Sequence, residues 1–444
     1  MKKFILLFLL IPFFLHSQGW EKNLYNGGGV GSSGANFLGG YDILQSSDGS
    51  FFILSTADYG IYTALMLVHI DQTGNVINTS FFHQGSGSFY PKDFNLTSNN
   101  NIVITGYYNS PSNYENFLVT FDTQNWSATN FEWWGGGGTN DDLSNAVIQS
   151  SDNYFIVCGS TNAAGNGWTT GAETYDIFIS KYSANLTEIW TQYIGGYEDQ
   201  LCNDVKETTD NGFILVGSTK QINGNILFPR EIYLVKTNSS GIEQWSNSYS
   251  ISAGSSPIAN SVIQTSDGGF LIYGESPNGP NGELILIKTD LNGNELWRNS
   301  FVGYSAYEAE ETSDGGFILL GNNFQNNNEK TILIKTDANG NQIWKKDFNE
   351  GGFCPSIACG SVRNTLDGGY VFVRPLDVTN NEGLYVVKTD GNGNSTNTFE
   401  ISINNKNLID VVDVLGKNVS EKHYNTTLIY IYDDGTVEKR FIIE

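Results

Sequence analysis

Residues 262–301 read VIQTSDGGFLIYGESPNGPNGELILIKTDLNGNELWRNSF, and residues 310–348 repeat the phrase as EETSDGGFILLGNNFQNNNEKTILIKTDANGNQIWKKDF. A last recurrence runs from LDGGYVFV (366–373) to YVVKTDGNGNS (385–395) and stops before any tryptophan. The absent piece stands at the other end of the chain, as Trp20-Glu21-Lys22-Asn23-Leu24-Tyr25. Working outward from these phrases, the turn recurs at Ser47-Asp48-Gly49, Ser98-Asn99-Asn100, Ser151-Asp152-Asn153, Thr209-Asp210-Asn211-Gly212, Ser266-Asp267-Gly268, Ser313-Asp314-Gly315 and Leu366-Asp367-Gly368. A spacing of 47–58 residues belongs to propellers and similar arrays.

Each turn joins a short strand, such as Ala146–Gln149, to a β-branched and aromatic one, such as Phe213–Val216. Asp/Asn-Gly supplies the positive φ of a tight hairpin. A variable loop leads to a third strand (Leu65–Ile70, Phe117–Phe121, Ile177–Tyr182, Ile232–Thr237, Leu284–Thr289, Ile332–Thr336, Leu384–Thr389). A second turn leads to a fourth strand bearing Trp190, Trp245, Trp297 or Trp344. Four antiparallel strands repeated radially make a propeller blade. The first two copies are degenerate: Asn78 stands where a tryptophan is expected, and Asp122–Trp134 is irregular. The reading is all-β: a seven-bladed β-propeller closed by an N-terminal strand, plus a small C-terminal β-sandwich-like module. Closure removes a sheet edge that would otherwise invite aggregation.

The composition agrees with many short strands: 13% aromatic, 50 Gly and only 9 Pro. A formal net charge of −24 argues against nucleic acid or an anionic membrane as partner. Lys2-Lys3, the apolar run Phe4–Leu15 and His16-Ser17 form a secretory signal, with cleavage expected after Ser17. No later apolar stretch is long enough for a membrane-spanning helix, so the mature chain has no transmembrane segment. The expected domains are a signal peptide (1–17), the propeller (18–395) and a C-terminal module (396–444). Export permits disulfides among Cys158, Cys202, Cys354 and Cys359, with Cys158–Cys202 and Cys354–Cys359 favoured because all four are expected on one face.

In a blade, the first-to-second and third-to-fourth links share one face, and here they are short and uniform. The opposite face takes the variable loops, where binding usually resides. Its aromatic residues include Tyr107, Tyr108, Trp133, Trp134, Trp168, Tyr175 and Tyr197. Flat rings beside carboxylates and amides suit a glycan or an extracellular protein. Asp141, Asp142, Glu198, Asp199 and Asp204 recur at the entries to inner strands, where they would line a central channel or hold a cation. The Asp-x-Asn-Gly-Asn turns lack the full calcium-loop ligand set, and hairpin chemistry accounts for them. No cofactor is expected, calcium being the one cation the acidic loops suit.

The residual histidines, His69, His83 and His423, form no metal-binding or triad motif. No G-x-S-x-G elbow, P-loop or dinucleotide fingerprint is present. Carboxylates are plentiful, but no spacing singles out two of them for glycoside chemistry. The expectation is therefore a non-catalytic propeller binding a glycan or protein through its loop-rich face. The alternative is a secreted polysaccharide hydrolase or lyase with a carboxylate pair on that face.

The tail breaks the repeat. Val412-Asp413-Val414-Leu415-Gly416-Lys417-Asn418-Val419, then Leu428–Val437 with Gly435, then Lys439-Arg440 before an apolar end resemble the C-terminal sorting domain, type A-like, of proteins exported by the type IX secretion system of Gram-negative bacteria. The usual Pro-Asn-Pro opening is absent. The resemblance implies type IX secretion machinery as a partner, with Asp413, Gly416, Lys417, Gly435, Lys439 and Arg440 as sorting residues. It implies passage through the periplasm to the medium or the outer cell surface. The repeats also resemble those of secreted propellers from such bacteria, which conveys fold rather than activity.

Overall fold

The computed structural model describes residues 19–26, 36–59, 62–83, 87–109, 114–135, 141–162, 175–196, 199–220, 222–223, 226–227, 229–252, 255–277, 282–303, 305–325, 328–348, 360–378, 381–395, 398–403, 408–413, 417–419, 426–432 and 437–442. It is all-β, with seven radial antiparallel sheets. Blades 1 to 6 occupy 36–82, 88–134, 142–194, 199–249, 258–302 and 305–348, each with four main strands in sequence order from the axis outward. Blade 7 takes its inner three strands from Ser361–Asn364, Tyr370–Val378 and Asn381–Thr389. Its fourth is Trp20–Asn26, antiparallel to the third, with Trp20 opposite Lys388 and Leu24 opposite Leu384.

Trp20 holds the register that tryptophan holds elsewhere. Trp190 lies opposite Lys181, Trp245 opposite Lys236, Trp297 opposite Lys288 and Trp344 opposite Lys335. Each lysine reaches back to the aspartate of its blade's first turn. Lys236, Lys288, Lys335 and Lys388 meet Asp210, Asp267, Asp314 and Asp367 at 2.9, 2.9, 2.9 and 2.5 Å. Lys288 Nζ also donates to the Thr289 carbonyl at 2.9 Å. This explains the double glycine of Ser-Asp-Gly-Gly-Phe. Gly268 has φ +85°, and a Cβ on Gly269 would lie 2.2 Å from the Thr289 carbonyl and 2.5 Å from Lys288 Nζ. In blade 3 Tyr154 takes the second glycine's place, and Lys181 rides 4.4 Å above its ring.

The second turn is self-contained. Asp290 Oδ1 accepts the amides of Asn292 and Asn294 at 2.8 Å each, and Asn294 Nδ2 donates to Oδ2 at 2.9 Å. Its glycine serves the neighbouring blade. A Cβ on Gly241, Gly293, Gly340 or Gly393 would lie 2.5–2.7 Å from the Trp190, Trp245, Trp297 or Trp344 ring of the preceding blade. The degenerate blades reverse this exchange. Blade 1 carries Asn78 in the tryptophan register, and the next turn supplies Trp126, which stacks on Phe52 and His69 at 6.0 and 5.5 Å. Blade 2 carries Asn130 there, and the next turn supplies buried Leu186. Both turn residues keep a positive φ, 55° and 61°. Large and small partners swap sides, so interblade packing is preserved.

The core lies between blades, in clusters such as Ile214, Val216, Ile232, Leu234, Phe270, Ile272 and Ile287. Beyond the ring, Thr398–Ile403 adds to the outside of blade 7, parallel to Trp20–Asn26, so that sheet has five strands. Leu408–Asp413, Thr426–Tyr432 and Val437–Ile442 form one antiparallel sheet. Its last strand contacts the outer strand of blade 1. Asp413, Lys417, Lys439 and Arg440 fall within this described part; Gly416 and Gly435 lie outside it. Among the described residues no helix is long and apolar enough to cross a membrane.

Candidate functional site

Six of the seven innermost strands carry a β-bulge at the same repeat position. A bulge breaks the two-residue alternation and turns neighbouring side chains toward the same side. The extra residues are Tyr41, Lys92, Asn145, Asn203, Asn260 and Tyr307, followed by Asp42, Asp93, Ala146, Asp204, Ser261 and Glu308. All twelve line one axial cavity of about 340 Å³, which extends toward Lys206 and Arg363. Tyr107 and Leu143 line its loop-rich end.

The asparagines are structural. Asn145, Asn203 and Asn260 donate to the carbonyls of Cys202, Ala259 and Ala306 at 2.8, 2.8 and 2.5 Å, tying each inner strand to the next. Tyr41, Lys92 and Tyr307 interrupt this ladder, so the cavity has an amide side and a side bearing aromatic and cationic groups. Tyr107 stacks on Tyr90 at 5.2 Å, and Lys92 Nζ lies 5.3 Å from the Tyr107 ring centre.

Charge is arranged in depth. Arg363 pairs with Asp42 at 2.8 Å, with Glu308 at closer range and with Glu310 at 3.7 Å. Burial disfavours its charge, but Asp42, Glu308 and Glu310 more than offset this and hold it protonated. Lys206 pairs with Asp204 at 2.6 Å, and the other Asp204 oxygen accepts the Val262 amide at 2.9 Å. Asp93 Oδ2 accepts the Val147 amide at 2.8 Å. Burial, reinforced by the charge of Asp42, pushes Asp93 well above the usual carboxyl range. Burial also raises Asp42, against the pull of Arg363. Glu310 is pushed up to about 7 by burial, again against Arg363. Asn260 Oδ1 is buried in the cavity wall without a hydrogen-bond partner.

Of the residues singled out in the sequence, Tyr107 and Asp204 line the cavity. Tyr108 is a correction to the expected aromatic surface. It is only 4% exposed, packs on Phe89 at 5.0 Å and accepts the Gly87 amide on Oη at 2.6 Å. Trp134 packs against Tyr182 of blade 3 at 5.1 Å, whereas Trp133 is exposed on the outer strand of blade 2. Tyr175 gives its amide to Asp199 at 3.1 Å and its hydroxyl to Asp141 at 3.4 Å. Asp199 is paired with Arg230, and Asp142 is buried. Trp168, Tyr197, Glu198, Cys354 and Cys359 lie outside the described residues.

The cysteine placement is also corrected. Cys158 and Cys202 do not sit on the loop-rich surface; both are fully buried between blades 3 and 4, as free thiols with sulfurs 2.9 Å apart. Sequence reasoning missed Tyr41, Lys92, Asp93, Tyr307, Glu308 and Arg363. For Tyr41, Lys92 and Tyr307 the signal was a break in the repeat: a tyrosine or lysine where Asn145, Asn203 and Asn260 recur. Among the described residues no group of three or more His, Cys, Asp or Glu is placed to hold a metal ion.

No family model and no curated protein matches the chain. Among solved structures it is similar to the BP39L lectin from Burkholderia pseudomallei, at TM-score 0.50 and 9% identity, over 81% of this chain and 98% of that one. It is similar to the polysaccharide lyase Uly1 at TM-score 0.48 and 10% identity, over 85% and 98%. A protein of unknown function from Dyadobacter fermentans gives TM-score 0.47 and 8% identity, over 84% and 98%. At such identities the likeness is one of fold, and the chain is a β-propeller.

Proposed function

We propose that the protein is an exported propeller, displayed at the cell surface or released, that binds a glycan non-catalytically through its loop-rich face and the axial cavity beneath it. The cavity carries the reading: Tyr41, Tyr107 and Tyr307 line it beside carboxyls and amides, and the Asn260 amide oxygen has no hydrogen-bond partner. Tyrosine rings stack on sugar C–H faces while carboxyls and amides bond hydroxyls. One solved structure of similar fold is a lectin. The sorting-domain resemblance supports type IX export, with the tail as its address. An extracellular protein ligand is the other outcome of the same screen. Glycan arrays and pull-downs with the full chain test it. The reading expects a bound glycan whose affinity falls about tenfold or more in Tyr107→Ala; capture of no glycan contradicts it.

A second reading rests on Asp42 and Asp93. Two carboxyls in one cavity, both with their pKa raised by burial, are the raw material of acid–base catalysis on a glycosidic bond. Release of reducing ends or unsaturated products from a polysaccharide panel, abolished by Asp93→Asn, would favour a hydrolase or lyase.

A further inference from the structure

Every other charged lysine placed on the axis or in a blade's first turn is matched to a carboxylate. Lys181, Lys206, Lys236, Lys288, Lys335 and Lys388 each have an aspartate oxygen within 2.5–2.9 Å. Lys92 is the exception among the described residues. It occupies the bulge position that asparagine uses to tie inner strands together, yet it makes no such tie and no ion pair. Its ammonium lies over the face of Tyr107, 5.3 Å from the ring centre. Deeper in the cavity, Arg363 and Lys206 are already neutralised.

An unpaired amine in a cavity wall costs folding free energy unless something binds it. Burial lowers the Lys92 pKa to about 8, which leaves it cationic at neutral pH. Asp93, the next residue, spends one oxygen on the Val147 amide and forms no ion pair with the lysine. A ligand anion is what this amine lacks. Tyr107 beneath it and Tyr41 on the same cavity wall supply aromatic surface for a sugar ring.

We infer that the cavity takes an acidic sugar, a uronate unit of a polysaccharide, with its carboxylate on Lys92 Nζ and its ring against Tyr107. This deepens the glycan reading and rests on it. The chain's net charge of −24 repels polyanions at a distance, so recognition is short-ranged and specific to the seated sugar.

The test is titration calorimetry of the full chain with uronate oligosaccharides, and with the same oligosaccharides after their carboxyls are reduced to alcohols. Expected is binding of a uronate oligomer, weakened about tenfold or more by carboxyl reduction. Lys92→Ala should produce the same loss, and Lys92→Arg should restore most of it. Melting temperatures report that the variants are folded. Equal affinity for acid and reduced oligomers, or unchanged uronate binding in folded Lys92→Ala, overturns the inference while leaving the glycan reading intact. Binding to no uronate oligomer also overturns it, and a neutral hit on the glycan array then shows whether the glycan reading survives.

Discussion

Trp20 of the N-terminal strand packs on Gly74 of the first blade, with a Cβ at Gly74 only 2.9 Å from the indole Cζ3, and its Nε1 donates to the Gln72 carbonyl at 2.9 Å. This is the tryptophan–glycine contact made between blades 3 to 7, now joining the last blade to the first. A second interblade contact closes in the same sense. The Leu366 amide donates to Gln45 Oε1 at 2.8 Å, as the Thr209 amide does to Gln264 Oε1 at 2.7 Å.

Gly74→Ala is predicted to destabilise the ring. The residue has φ +84° and no room for a methyl group, so both strain and displacement of Trp20 follow. Trp20 is 7% exposed, and Trp20→Ala should cost about 3–5 kcal/mol. Chemical denaturation measures both. A cost of Trp20→Ala below that of truncating exposed Ile343 would contradict the closure contact.

The closure was legible because the repeat ends one tryptophan short and the spare lies at residue 20. The first two blades were harder to read. Asn78 and Trp126 look like decay when each is compared with its own repeat, and they make sense only as a swapped pair across blades. The cavity was hidden for a different reason. Bulges at Tyr41, Lys92 and Tyr307 put consecutive residues on one side, which strand alternation does not anticipate. The parallel addition of Thr398–Ile403 to blade 7 left no pattern to read, because its pairing partner is nearly four hundred residues earlier.

The lysine–aspartate staple gives a second prediction. Lys288 is 4% exposed, and Asp267→Ala leaves its ammonium with the Thr289 carbonyl but without a carboxylate. A loss of about 1–3 kcal/mol is expected. Lys288→Met, which removes the buried charge and keeps the volume, should cost less than Asp267→Ala. Denaturant melts of the two variants compare them, and the reverse order would contradict the account.

Stability should peak on the acid side of neutrality. Burial raises Glu275 and Glu310 from 4.5 to about 7, so the fold holds protons that the unfolded chain releases. Stability therefore falls as pH rises from about 4.5 through 7, by up to about 3 kcal/mol for each group. Asp210, Asp267 and Asp314 shift the other way, to about 2, through hydrogen bonds to their turns and lysines that outweigh burial. Their contribution is full above the unfolded value of 3.8 and is lost as pH falls toward 2. The melting temperature is expected to be highest near pH 4–5. A maximum above pH 7 would show that these carboxyls are not buried as described.

Cys158 and Cys202 give a fourth expectation. On the proposed export into an oxidising medium, the adjacent thiols should pass two electrons to a disulfide donor and join blades 3 and 4. Peptide mapping without reductant should recover the crosslinked pair, and reduction should cost about 2–4 kcal/mol. Two alkylatable thiols at these positions in protein from culture medium would contradict it.

The sealed ring is tested most directly by the melting temperature of a chain lacking residues 18–26. Loss of the fourth strand of blade 7 is predicted to lower it while the transition stays cooperative, because every blade is held by both neighbours. An unchanged melting temperature would mean that Trp20–Asn26 does not close the propeller.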